Sequence, residues 1–173
     1  GNNKSEAEIA RAIRNGLGRV VADSVDELKL IECVYAELAA ERVAEGEELY
    51  APVPVLIRIT PGVHASTHES IATAHEDQKF GMSLQPGTAA LAGLDEEELE
   101  HWGVESTDSY AALAAAILNA TDSLDFRGIH CHIGSQIFEA EGFEQAATTA
   151  LEFMNRLRSE ERRVGKECVS TCR

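Results

Sequence analysis

Apolar positions recur along this chain with two periods, and the switches between them mark its elements. Ile9, Ala12 and Ile13 fall at helical spacing behind Ser5 and Glu8, a capping-box pair, and Gly16 closes a helix predicted from about Glu6 to Asn15. A short apolar run, Arg19 to Ala22, follows. Ser24 and Glu27 then form a second capping box into a long helix ending near Gly46, so a strand feeds a helix. Pro52 and Pro54 break the chain, and Val55 to Ile59 reads as a second strand halted by Thr60-Pro61-Gly62. Residues 60 to 83 show no clear period and predict a long loop, a length that in compact domains is usually functional. Asp108 is placed to cap a helix of alanines and leucines reaching about Asn119. Phe126 to Ile133 predicts the third strand and Glu141 to Leu157 another helix.

The resulting order, α then βα three times, implies parallel strands with right-handed crossovers. Two α/β architectures fit it, an open doubly wound sheet or part of a (β/α)8 barrel. No Gly-x-Gly-x-x-Gly follows any predicted strand, which counts against a dinucleotide fold.

The third strand carries the densest chemistry, Gly128-Ile-His-Cys-His-Ile-Gly-Ser-Gln136. Along a strand successive side chains point to opposite faces, so His130, His132 and Gly134 share one face and Ile129, Cys131 and Ile133 the other. Cys131 therefore reads as packing, like a small hydrophobe. The histidines, near the strand's C-terminal end, admit a metal site or the floor of a cofactor pocket. A metal-dependent barrel hydrolase would use His130 and His132 as zinc ligands but needs further ligands from later strands, and none is identifiable. A glycine-serine continuation suits a phosphate, because it allows close backbone approach and adds a hydroxyl donor. His64 and His68 lie four apart in a loop without a helical frame, which disfavours a metal pair.

Composition narrows the partners. The chain has 173 residues, 44% hydrophobic and 26% charged, enough for about one globular domain. With 30 acidic against 15 basic residues its formal net charge is -15, which disfavours nucleic acid and anionic membrane surfaces by repulsion. The acidic runs at 41–48 and 95–100 read as solvated helix faces. No apolar run approaches the ~20 residues of a membrane span and no signal pattern opens the chain, so a cytoplasmic protein is expected. Four scattered cysteines, Cys33, Cys131, Cys168 and Cys172, form no disulfide framework, in keeping with a reducing compartment. The first residue is Gly1, and a natural start upstream is expected. From about Arg158 the chain becomes polar and arginine-rich with only a weak helical period. Residues 158–173 resemble translated sequencing-adaptor sequence and are expected to be non-native, leaving residues 1–157 as the domain.

Five blocks in one order carry a resemblance: GNNKS at 1–5, VADSVDEL at 21–28, RITPGVHASTHESI at 58–71, HEDQKFGMSL at 75–84 and GIHCHIGSQIF at 128–138. Together they resemble the diaminopimelate decarboxylases, pyridoxal-phosphate enzymes of fold type III. The resemblance covers about residues 1 to 155. It implies a partial (β/α)8 barrel of the alanine racemase-like kind, incomplete at both ends, without the family's C-terminal β-domain. It further implies pyridoxal 5'-phosphate as cofactor, His132 stacked on its ring, and Ser135 and Gly134 at its phosphate. Arg58 belongs by resemblance to a charged network under the cofactor, and a buried arginine there needs a carboxylate partner. His130 and Lys79 are expected in supporting roles. No catalytic residue is expected within the chain: the Schiff-base lysine would lie upstream of Gly1, and the acidic partner of the ring nitrogen is also expected elsewhere. The implied activity of the complete enzyme, expected as a homodimer, is decarboxylation of meso-2,6-diaminopimelate to L-lysine in lysine biosynthesis. A barrel-type ornithine or arginine decarboxylase is the alternative, and the fragment alone is expected to be inactive.

Overall fold

The computed structural model describes residues 2–61, 80–133 and 140–170. Helix α1 (Glu6–Arg14) begins at the predicted capping box, with Ser5 accepting from the Glu8 amide and Glu8 reaching back to Ser5, and it buries Ile9 and Ile13. Strand β1 (Val20–Ala22) leads into α2 (Val25–Glu45), which ends on Gly46 in the left-handed conformation at φ 71°. Strand β2 (Val53–Thr60) is the spine of the sheet. Strand β3 (Met82–Ser83), a 3-10 turn at Ala89–Ala92 and the short α3 (Glu96–His101) follow. Helix α4 (Tyr110–Ala120), strand β4 (Leu124–Cys131) and α5 (Ala140–Ser170) complete the described chain.

All strand pairs are parallel. β2 pairs with β4 along one edge, while β1 and then β3 pair with its other edge. Burial alternates strictly along β2: Val53, Val55, Ile57 and Ile59 are buried, and Pro54, Leu56, Arg58 and Thr60 are half-buried. The buried set joins Leu28 and Ile31 of α2, Leu113 and Ile117 of α4 and Phe153 of α5 in one core. A central strand buried on one face only has its helices on one side, the arrangement of a barrel wall; a doubly wound sheet would cover both faces. The fold is accordingly an arc of a (β/α) barrel, and the half-buried face of β2 is its inward side.

Several elements differ from their sequence-based bounds. β2 starts at Val53 and runs through Pro54, where a break is expected. The Val53 amide donates to Ser123 on the β4 side at 2.9 Å, so the position of the missing Pro54 N–H faces the other edge, where pairing with β1 begins only at Val55. No ladder hydrogen bond is lost. The predicted loop 60–83 gives up Thr60 to β2 and Met82–Ser83 to β3. Ser109, not Asp108, caps α4 by accepting from the Ala112 amide, while Asp108 accepts from the Glu105 amide. The acidic run at 95–100 is a capped helical turn, Asp95 with Glu98, that buries Leu99 beneath its exposed carboxylates. The third predicted strand runs two residues earlier than expected, and α5 continues past Leu157 to Ser170. Among the described residues no helix is long and apolar enough to cross a membrane.

Candidate functional site at the C-terminal ends of the strands

Parallel strands deliver their C-terminal ends to one rim, and there β1, β2 and β4 bring polar side chains together. Asp23 follows β1 directly, Arg58 lies two residues from the end of β2, His130 is the penultimate residue of β4, and His132 follows the strand's last residue. Arg58 and His130 are direct partners in the register, so their side chains share the open face on strands about 4.8 Å apart.

That juxtaposition depends on an irregularity. Phe126 is opposite Val55, but Gly128, not Arg127, is opposite Leu56. Arg127 is the extra residue of a β-bulge, and beyond it the strand's two faces exchange sequence parity. Leu124 is buried in the core and Phe126, Ile129 and Cys131 pack against it; Gly128 and His130 pair with the open-face residues Leu56 and Arg58. The structure thus bears out Cys131 as packing. Without the bulge, continued alternation from Phe126 would send His130 and His132 toward the helices. Gly128 makes the bulge possible, since its φ of 134° is a conformation that residues with a Cβ rarely adopt.

Arg58 has the carboxylate partner that its position demands. Its Nη1 donates to Asp23 Oδ1 at 3.1 Å, with the two side chains 19% and 14% exposed. The guanidinium also lies 5.5 Å from the centroid of the Phe80 ring, within cation–π range. His130 has its pKa lowered, first by burial of part of the ring and then by the neighbouring positive charge of Arg58. At neutral pH it is held as the uncharged imidazole. The rim thus offers one charge-compensated guanidinium and the His130 imidazole on the open face, with His132 just beyond the end of β4. This donor set fits a planar, hydrogen-bonding ligand, because an imidazole face can stack and a guanidinium carries five N–H donors, of which the Asp23 contact engages those of Nη1.

Gly134, Ser135 and Lys79, and likewise His64 and His68, lie outside the described residues. Asp23 and Phe80 are site residues that sequence reading did not single out. Their contacts join residues 35 and 22 positions apart, and only strand register brings them to Arg58. The available signal was the acid directly after the β1 apolar run, at the rim where barrel sites form. Among the described residues no three His, Cys, Asp or Glu side chains converge as a metal site would require.

Fold and rim together define the class: a sector of an α/β barrel that gathers polar side chains at the strand C-terminal ends. Residues 1–107 and 96–164 match the family described as the pyridoxal-dependent decarboxylase, pyridoxal binding domain, and the chain belongs to that family. It is 41% identical over 160 residues to a diaminopimelate decarboxylase of Corynebacterium efficiens, covering 92% of this chain and 28% of that protein. It is 38% identical over 154 residues to the corresponding protein of Halalkalibacterium halodurans, covering 89% and 28%. The crystal structure of diaminopimelate decarboxylase from M. jannaschii with L-lysine matches at a TM-score of 0.65 and 25% identity, over 93% of this chain and 30% of that one. The Helicobacter pylori enzyme with L-lysine shares the fold at a TM-score of 0.61 and 22% identity, over 93% and 32%. The chain spans about 28% of the length of these curated relatives.

Proposed function

We propose that this chain forms one wall of the pyridoxal 5'-phosphate site in a decarboxylase that converts meso-2,6-diaminopimelate to L-lysine and carbon dioxide. The observation that carries the reading is the pairing of Arg58 with His130 on the open face of the barrel arc, in a chain 41% identical to a diaminopimelate decarboxylase. When bound, the cofactor supplies a sink for the electrons released as carbon dioxide leaves. The residues of this chain bind and orient. His132 offers an imidazole face to the ring, and Ser135, with Gly134 permitting close backbone approach, donates to the phosphate. Arg58 presents guanidinium N–H donors beside the ring, and its pairing with Asp23 keeps its charge from being buried alone. His130, held neutral, adds no second cation next to Arg58. Lys79 has a supporting role. The lysine that bonds the cofactor belongs to a strand preceding this segment, and the complete enzyme is a cytoplasmic homodimer.

The test is the full-length protein carrying this segment. Purified, it should show the visible absorbance of stoichiometric bound pyridoxal phosphate and release carbon dioxide from meso-2,6-diaminopimelate in preference to ornithine or arginine. A colourless preparation holding stoichiometric zinc would overturn the reading.

A further inference from the structure

Glu27 does not complete the capping box that its spacing predicts. Ser24 Oγ accepts from the Glu27 amide at 3.2 Å, but the Glu27 carboxylate turns away from the Ser24 backbone and serves two other loops. Its Oε2 accepts from the Asp23 amide at 2.8 Å. Its Oε1 accepts from the Lys4 amide at 3.2 Å and meets Lys4 Nζ at 2.8 Å, and Nζ also donates to the Val21 carbonyl at 2.5 Å. Asn3, just before, sits at φ 62°, a conformation uncommon outside glycine that sets the loop so that Lys4 can point inward. Glu27 is 6% exposed and Lys4 17%. One buried carboxylate thus joins the 2–5 loop, the end of β1 and the first turn of α2.

The consequence lies one residue further on. Asp23 holds Arg58, and the direction of its carboxylate follows from where its backbone is fixed. We infer that Glu27 is a positioning residue for the site: by anchoring the Asp23 amide it aims the Asp23 carboxylate at Arg58, and so sets where the guanidinium stands beside His130. A carboxylate kept only to cap α2 would have bonded back to Ser24, and one kept only to neutralise Lys4 would not need its second oxygen on Asp23. The inference rests on the proposed pyridoxal-phosphate site.

A double-mutant cycle in the full-length protein carrying this segment tests it, read as dissociation constants for pyridoxal phosphate followed by absorbance. Glu27→Gln and Arg58→Met should each weaken binding, Glu27→Gln by roughly tenfold, the scale of one charge-assisted hydrogen bond. The double variant should bind as Arg58→Met alone does, because Glu27 acts only through Arg58. Melting temperatures of the cofactor-free proteins give the contrast, since losses in stability from the Lys4 pair should persist in the double variant. Should Glu27→Gln fail to fold, Lys4→Met/Glu27→Met removes the buried pair together, leaves no lone charge and takes its place in the cycle. Losses of cofactor affinity that simply add would overturn the inference while leaving the site intact. A wild-type protein that takes up no cofactor would overturn the proposed site and this inference with it.

Discussion

Replacing Arg58 by methionine keeps much of the side-chain stem and removes the guanidinium that Asp23 meets at 3.1 Å. Asp23 is then left as a lone carboxylate only 14% exposed, and the expected loss is about 1–3 kcal/mol, the cost of stranding a mostly buried charged group. Chemical denaturation of the full-length protein measures it, and a loss below the noise would mean that the pair is solvated. His130 adds a pH dependence whose sign is set by its lowered pKa. A histidine that binds its proton less readily when folded costs nothing above the ordinary value of 6.5, where both states are neutral. As pH falls through that value the unfolded chain takes up the proton first, so stability declines. The melting temperature should drop more steeply between pH 7 and 5.5 in the wild type than in His130→Gln. Parallel profiles would remove His130 from the account. For cofactor binding, Ser135→Ala should weaken affinity by about 1.5–3 kcal/mol, the range for a hydrogen bond to a charged group, and unchanged affinity would take Ser135 out of the site.

Two glycines decide how elements meet, and they should respond differently to a methyl group. Gly128 at φ 134° carries the β4 bulge, but a Cβ there would find its nearest neighbour, Leu56 Cδ2, at an ordinary 3.7 Å. Gly128→Ala should therefore cost about 1–3 kcal/mol from backbone strain alone. Gly81, at φ 91°, precedes β3, and a Cβ would stand 2.8 Å from Thr60 Oγ1 and 3.2 Å from the Arg58 carbonyl oxygen. Strain and collision act together there. Gly81→Ala should be the more damaging of the two and should disturb the end of β2 next to Arg58. Denaturation midpoints for the pair give the order, and a reversed order would show that the bulge is more constrained than its space suggests. Deleting Arg127 is the sharper perturbation, since it restores simple alternation and directs either Ile129 and Cys131 or the two histidines to the wrong face.

At the scale of the molecule, the described sheet has two open sides. β1 and β4 each pair only with β2 among the described strands, so the outer edge of each presents unpaired N–H and C=O groups. Exposed Phe143 and Leu151 on α5 add apolar surface. Expressed alone, residues 1–173 should self-associate or remain partly unfolded despite the formal charge of -15. Size-exclusion chromatography with light scattering checks this, and a monodisperse monomer would show that the edges are protected.

What the sequence determined by itself is what neighbouring residues can settle. The Ser5–Glu8 capping box, the Ser24 cap with Gly46 at the far end of α2, and the alternation of His130 and His132 against Ile129 and Cys131 all rest on hydrogen bonds or side-chain directions a few residues apart. Parallel pairing followed from the order of elements. The tertiary structure decided which face each alternating set occupies, because the bulge at Arg127 resets the phase of β4 and is visible only against its partner β2. In retrospect the apolar positions 124, 126, 129 and 131 carry its trace, as a spacing of three inside a period of two. Register also chose Asp23 for Arg58 across 35 residues and drew Glu27 from its cap to Lys4 and the Asp23 amide. No local propensity encodes such contacts, for they exist only once packed helices have fixed how far one strand slides along the next.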